Sequence, residues 1–342
     1  MAVSSARNIV VIGASSGGVE ALSKVVGALP NDFPGAVFIV QHTSPSSPAL
    51  LAKILARESS LPVETAVDGE PILPGRVRVA PPDRHLLLTP DQAVLDRGPL
   101  LNRVRPAIDA LFRSAAVHHG PAVVGVVLTG NLSDGSAGLA AIKACGGAAL
   151  VQAPDEAAFP DMPRNAIKAA HPDHVVTLAQ MPAHILRALA QPLVPHDVPL
   201  EIQLEAIRGL RTGAESVPAN DRIGSRVPFT CPDCGGPLWE LGAPTRFRCQ
   251  IGHAYDGPTM MVSKTEEAVR ALWIAVRNLD ERASLLASMA ATSRTAKRPN
   301  SAGHFDTRHA ELVDAADAIR RLIDDMAAHA AVPAADPADP AE

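Results

Sequence analysis

Short, unbroken apolar runs separated by turn residues dominate the first 190 positions of the chain. They are IVVIG (9–13), AVFIVQH (36–42), RVRVA (76–80), VVGVVLTG (123–130), AALVQ (148–152) and HVVTL (174–178). Runs of this kind are the mark of strands buried on both faces. Helical patterns fill many of the gaps: Val19–Leu29, Ala49–Arg57, Pro106–His118, Ser136–Cys145, Pro163–Ala170 and Met181–Ala190. Strand–helix alternation predicts an α/β fold with a doubly wound, mostly parallel sheet over residues 1–192. Between Leu61 and Gly98 the pattern breaks into short strands set between Pro and Gly turns, which predicts a β-hairpin insertion.

Beyond Leu193 the pattern changes. Residues 193–227 are polar and punctuated by Gly and Pro, so they read as a linker with one short element inside it. A compact Cys-containing module follows over 228–257, then two long helical stretches over 258–331. In the first, Val269, Leu272, Trp273, Val276, Leu279 and Leu286 recur at helical steps; in the second, Leu312, Ala316, Ile319, Leu322, Ile323 and Met326 do. SRTAKRPNSAG joins them, which predicts a helical hairpin whose Trp and Leu stripe is its core, or a surface for self-association or a partner helix. Residues 332–342 are rich in Ala and Pro and read as a disordered tail.

Composition narrows the function. The 342 residues carry a net charge of −5, which argues against general nucleic-acid affinity. No apolar run reaches the length of a membrane span, and the N-terminal MAVSSARNIVVIG lacks a signal-peptide core. Four cysteines do not make a disulfide scaffold. A cytoplasmic protein is expected.

The turn Gly13-Ala14-Ser15-Ser16-Gly17-Gly18 carries the first candidate chemistry. A phosphate loop would need Lys and then Ser or Thr after the glycines, yet Val19 and Glu20 follow. The dinucleotide pattern fails too, since Ser15 occupies its second glycine position. G-x-S-x-G between strand and helix fits a nucleophile elbow that lifts the Ser15 hydroxyl above the sheet edge; a plain tight turn fits equally well. A nucleophilic serine needs a base and an orienting acid, and functional groups gather at the carboxyl ends of parallel strands. His42 ends the second run, and Asp134 lies in the turn after VVGVVLTG. Taken singly, each has a structural reading: a strand-end histidine, and an Asp-Gly helix cap.

The second candidate is Cys231-x2-Cys234 followed by Cys249-x3-His253. Two close pairs of this kind suit a tetrahedral Zn²⁺ held by three thiolates and an imidazole. All four positions are filled by protein, so the metal is expected to be structural.

IGASSGGVEAL, VFIVQH, DGEPILPGRVRVAPPDRHL, NRVRPAIDALF, GVVLTGNLSDGSAG and MPRNAI, in that order over about residues 8–190, resemble the catalytic domain of the CheB-type chemotaxis protein-glutamate methylesterases. The resemblance implies hydrolysis of γ-glutamyl methyl esters on methyl-accepting chemoreceptors, and often deamidation of receptor glutamines. It implies Ser15 as nucleophile, His42 as base and Asp134 as orienting acid, with no cofactor for the chemistry. Ser16 keeps a hydroxyl where Thr is common, and the Asn131 backbone N–H falls where the oxyanion is stabilised. Asn131 itself stands where an apolar residue such as Met is expected, and Asp161 where Gly is usual. Arg105 is a candidate for contact with an acidic receptor surface, or a structural helix-start arginine. Family members commonly carry an N-terminal phospho-receiver; here the sequence starts almost at the first strand, so regulation without an attached receiver is expected. The Cys module resembles zinc-ribbon extensions on some CheB-like proteins, and a protein-docking role is expected for it. Deleting residues 228–342 is then expected to alter regulation more than chemistry. The alternative function is a non-catalytic regulatory or binding protein that keeps the fold; a nucleotide-binding protein is disfavoured.

Overall fold

The structure, a computed structural model, describes residues 7–208, 220–242 and 245–328. The tail expected over 332–342 lies outside the described residues. The described chain forms two compact units, one ending at Thr259 and the other beginning at Met260.

In the first unit the elements run β1 (Ile9–Ala14), α1 (Gly18–Gly27), β2 (Ala36–Gln41), α2 (Leu51–Glu58), β3 (Val63–Thr65), β4 (Glu70–Pro71), β5 (Val77–Val79), β6 (His85–Leu88) and β7 (Gln92–Asp96). Then come α3 (Ile108–His119), β8 (Val123–Val127), α4 (Ser136–Ala144), β9 (Ala148–Gln152), α5 (Asp161–Ala170), β10 (His174–Val176), α6 (Met181–Leu189) and α7 (Leu200–Arg208). Four further strands close the unit: β11 (Gly224–Thr230), β12 (Pro237–Leu241), β13 (Arg246–Cys249) and β14 (Ala254–Asp256).

Seven strands pair in parallel in the order β10-β9-β8-β1-β2-β5-β3. All residues of β1, β2, β8 and β9 are buried, because helices cover both faces. The period of two divides them between two cores. Val10, Ile12, Val37 and Ile39 pack with α1, α2 and α6, while Ile9, Val11, Phe38 and Val40 pack with α3, α4 and α5. From central β1 the chain winds outward through β2, then returns to β8 on the other side of β1. That reversal opens a crevice at the carboxyl ends of these strands.

Three details are not legible in the sequence pattern. The sheet is wholly parallel and includes β3, a strand of three residues too short to show a pattern. The insertion is a three-stranded antiparallel sheet, β4-β7-β6, in which β6 and β7 form the hairpin. Within the segment 193–227, α7 and the start of β11 lie among the described residues. Glu205 on α7 bonds Arg246 of β13 at 2.6 and 2.8 Å, a long-range contact that local composition cannot signal.

Strands β11-β12-β13-β14 form an antiparallel sheet, the Cys module. Leu238, Trp239, Leu241 and Tyr255 are its buried apolar residues. It clusters with the catalytic-type sheet within one unit.

The second unit consists of α8 (Gly257–Thr295), apart from its first residues, and α9 (Pro299–Ala328). Only Ala296–Arg298 separates the helices, fewer residues than SRTAKRPNSAG suggests, because Pro299 is well suited to the first helical turn. The helices run antiparallel: Arg294 meets Asp306 at 2.7 Å, and Arg320 meets Asp280 at 2.6 Å. Val276, Ala283 and Ala290 face Ala302, Ala316 and Ile323 along a buried seam with heptad steps. Trp273 is half exposed, so small residues rather than Trp273 make this core. Among the described residues no helix is long and apolar enough to cross a membrane.

Candidate active site and metal cluster

Ser15 follows the last residue of β1. Its N–H donates to Thr129 O at 3.0 Å, and its carbonyl accepts from Gly18 N at 2.8 Å and Gln41 Nε2 at 2.7 Å. Gly17 takes φ +74° to pass from the strand into α1, a conformation that a side chain strains. Gly130, after β8, packs so close that a Cβ there would sit 2.8 Å from the Ser15 Cβ. The two turns are therefore pressed together, and Asn131 Nδ2 donates to Ser16 Oγ at 3.0 Å across them.

His42 follows β2, its N–H bonded to Ala14 O at 3.2 Å. Its Nδ1 lies 3.0 Å from Ser15 Oγ, and its Nε2 lies 2.7 Å from Asp134 Oδ2. The ring presents Nδ1 to the hydroxyl, the reverse of the serine-protease arrangement, but the roles are unchanged. A proton held on Nε2 by Asp134 leaves Nδ1 free to accept the one on Ser15 Oγ.

Asp134 is buried in the turn between β8 and α4. Oδ2 also accepts from Ile108 N at 2.7 Å, and Oδ1 accepts from Asn102 Nδ2 at 3.0 Å and Asp109 N at 3.3 Å. Burial alone would raise its pKa, but the His42, Asn102 and Ile108 hydrogen bonds prevail and hold it below the usual carboxylate range. Asp134 therefore stays ionised, the form that orients an imidazole.

Around it lies a second buried carboxylate. Asp109 pairs with Arg113 at 3.0 Å and accepts from Gly135 N at 3.1 Å and Gly138 N at 2.7 Å. Burial pushes it up to about 6 against the pull of Arg113. Asn102 and Asp109 both lie in NRVRPAIDALF, where the only local signal for them is an apolar helix that opens on an Asp.

Ser15, His42, Asp134, Ser16 and Asn131 thus come together at one sheet edge. Among the described residues the backbone N–H groups of Ser16 and Asn131 meet no protein acceptor. Arg105 does not join them. Its Nε and Nη2 bond Asp83 at 3.0 and 2.6 Å, and its Nη1 bonds Gly98 O at 2.6 Å, so the guanidinium braces the loop before α3. These bonds fit the structural reading of Arg105, the alternative to contact with an acidic receptor surface.

A family model described as CheB methylesterase matches residues 10–185, just over half of the chain. The chain belongs to this family. The relatives include protein-glutamate methylesterase/protein-glutamine glutaminase 5 of Anaeromyxobacter dehalogenans, 42% identical over 186 residues, or 53% of this chain and 51% of that one. Another is protein-glutamate methylesterase/protein-glutamine glutaminase 3 of Burkholderia lata, 40% identical over 190 residues, 54% of this chain and 52% of that one. The chain spans about half the length of these relatives. The crystal structure of the Thermotoga maritima CheB methylesterase catalytic domain aligns with a TM-score of 0.52 and 34% identity, over 53% of this chain and 98% of that domain.

Outside the CheB match lies the cluster Cys231, Cys234, Cys249 and His253, whose ligand atoms lie within 4.8 Å of one another and could hold a metal ion. Two tight turns present it. Gly235 N bonds Cys231 O at 2.8 Å, and Gly252 N bonds Cys249 O at 3.1 Å, with Gly252 at φ +115°. The Cys249 thiol draws Cys231 down to about 3, helped by His253 and Tyr255 against the cost of burial. Cys145 is a separate buried thiol in the sheet's core.

Proposed function

We propose that this CheB-family chain is a carboxylic ester hydrolase, a protein-glutamate methylesterase acting on γ-glutamyl methyl esters of methylated chemoreceptors in the cytoplasm. The observation that carries this reading is the unbroken line from Ser15 Oγ through His42 to the ionised Asp134, at 3.0 and 2.7 Å.

In this reading His42 Nδ1 takes the Ser15 proton as Oγ attacks the ester carbonyl. The backbone N–H groups of Ser16 and Asn131 receive the oxyanion. His42 then protonates the departing methoxide, and methanol leaves. Water, deprotonated by the same imidazole, attacks the acyl-serine and releases the glutamate carboxylate with Ser15 restored. A glutamine substrate would pass through the same steps with ammonia as leaving group, in keeping with the glutaminase half of the relatives' names. Asp134 stabilises the imidazolium formed at each stage.

For the metal cluster the proposed occupant is Zn²⁺. Zn–S bonds of about 2.3 Å and Zn–N bonds of about 2.0–2.1 Å place tetrahedral sulfurs about 3.8 Å apart and sulfur–nitrogen pairs about 3.6 Å apart. Here Cys234 Sγ and Cys249 Sγ are 3.7 Å apart, and His253 Nδ1 is 3.7 Å from Cys231 Sγ and 3.5 Å from Cys249 Sγ. Four protein donors leave no open position, so the ion would supply structure rather than Lewis acidity.

The test is methanol release from a methylated chemoreceptor cytoplasmic domain, comparing wild type with Ser15→Ala. Release by wild type alone supports the reading. Equal release by both would remove Ser15 from its role, and no release by folded, metal-loaded wild type would favour the binding-protein alternative.

A further inference from the structure

The Cys module touches the candidate triad through one side chain. The turn Cys249–His253 leads directly into β14, and the Cys249 N–H bonds the His253 carbonyl at 2.9 Å. The next residue, Ala254, forms an isolated bridge with Leu101, and its carbonyl accepts from Asn102 N at 2.7 Å. Two residues on, Asp256 N donates to Asn102 Oδ1 at 3.0 Å. The Asn102 amide is thus clamped at its oxygen by the module, which turns its Nδ2 donor toward Asp134 Oδ1 at 3.0 Å. Asp256 reinforces the clamp by accepting a hydrogen bond from Oγ of Ser133, the residue before Asp134. Asn102 is buried and held at φ +49°, a backbone conformation that Asn tolerates better than most residues.

A second route ends at the same turn. Arg246 of β13 pairs with Glu205 at 2.6 Å, Glu205 lies 3.6 Å from Arg113, and Arg113 holds Asp109. Asp109 in turn accepts from Gly135 N, directly after Asp134. Both routes start on strands that flank the metal ligands and finish on the residues beside the acid of the triad.

We propose that the Cys module is an internal support for the catalytic acid: metal binding at Cys231, Cys234, Cys249 and His253 fixes Ala254–Asp256, these residues clamp the Asn102 amide, and Asn102 is the positioning residue that orients Asp134. This rests on the esterase and metal readings above. It makes activity responsive to metal supply, through a module that lies outside the segment matched by the CheB family. It runs against the expectation that deleting residues 228–342 alters regulation more than chemistry, since 254–256 bond directly to residues that support the triad.

The experiment compares the full chain loaded with Zn²⁺ and the same chain stripped by a chelator. Amide exchange is read over 100–104 and 131–136, and kcat and KM are read by methanol release. The expected result is faster exchange in both segments and a fall in kcat of about tenfold or more, with KM little changed, as misorientation of a catalytic group produces. Asn102→Gly keeps the positive φ and removes only the amide. In loaded protein it should lower kcat to a similar extent at unchanged zinc content, move the acid limb of the rate profile to higher pH by releasing Asp134 from one of its donors, and make stripping nearly without further effect. Exchange confined to 224–256 with unchanged kcat would overturn the proposal. So would opening of the whole parallel sheet on stripping, or an Asn102→Gly variant that is less stable yet fully active with an unshifted pH profile. If neither state releases methanol while exchange still spreads to 131–136, the coupling stands and the esterase reading fails.

Discussion

Every residue of β8 is buried, whereas five of the seven residues of β11 are exposed. Both strands sit in the same compact unit, yet different forces hold them. β8 is sealed between two layers of helices, and its Val and Gly residues need no partner other than neighbouring side chains. β11 borders a four-stranded sheet with a handful of buried apolar residues and, among the described residues, no helix layer on both faces. Such a module is too small to be held by burial alone, and four convergent ligands are the natural substitute. In the parallel sheet burial is spread over dozens of side chains; in the metal reading the Cys module would concentrate its stabilisation at one point.

The largest predicted effect follows from that concentration. Removing the metal from the full chain should collapse the Cys module, with amide protection lost over 224–256 and retained over 9–14, 36–41 and 123–127. Structural zinc sites carry apparent binding energies of about 10–16 kcal/mol, which few small cores can match. A module that keeps its protection in chelator would show that Leu238, Trp239 and Tyr255 suffice, and the contrast would vanish.

Next in size are changes to the chemistry of the sheet edge. Ser15→Ala and Asp134→Asn should each lower kcat for ester hydrolysis by about 10⁴-fold, the first by removing the proposed nucleophile and the second by stabilising the wrong imidazole tautomer. Metal content, measured by atomic absorption, should not change in Ser15→Ala. Loss of zinc from that variant would mean the two regions depend on each other in both directions.

Within the sheet, Ile39→Ala in β2 empties a fully buried site. It should cost about 2–5 kcal/mol in urea unfolding, with the metal retained. A cost under about 1 kcal/mol would mean that the sheet collapses around the cavity far more readily than typical cores do.

The same contrast explains what the sequence disclosed. IVVIG, AVFIVQH and VVGVVLTG announce buried strands because full burial leaves an unbroken apolar run. Ser15, His42 and Asp134 are legible because strand ends in a parallel sheet fall at one edge. The Cys and His ligands are legible by spacing, since each pair lies within one turn. What stayed hidden is what depends on tertiary approach. Asn102 reads as an ordinary polar residue until Ala254 and Asp256 arrive beside it, more than 150 positions later. Arg105 reads as either a surface contact or a structural arginine, and its bonds to Asp83 and Gly98 are not visible in the sequence. Trp273 reads as core, yet the helical seam closes on alanines too small to dominate a hydropathy pattern.

The smallest predicted effect is also the one that most sharply separates the two regions: they should respond to acid in opposite directions. Asp109, between Arg113 and the Asp134 turn, is pushed up to about 6 by burial from an ordinary value of 3.8. Between those values the folded chain holds a proton that the unfolded chain has released. Asp109 therefore favours folding most below that window, and its contribution is lost as the pH rises through about 6. Asp134 has the opposite sign, but its pKa is held below the usual range, so its contribution fades only at lower pH. Cys and His bind metal in their deprotonated forms, so acid would release an ion held at the cluster. Lowering the pH from 6 to 4 should thus release zinc from the Cys module, while Asp109 raises the resistance of the sheet to urea. The difference between wild-type and Asp109→Asn urea midpoints across this range isolates the sheet's share, because other carboxylates are common to both. That difference should shrink as the pH rises from 4 to 6, with zinc release the same in the two proteins. A difference independent of pH would show that Asp109 is ionised throughout, paired with Arg113 as fully as a surface carboxylate is hydrated.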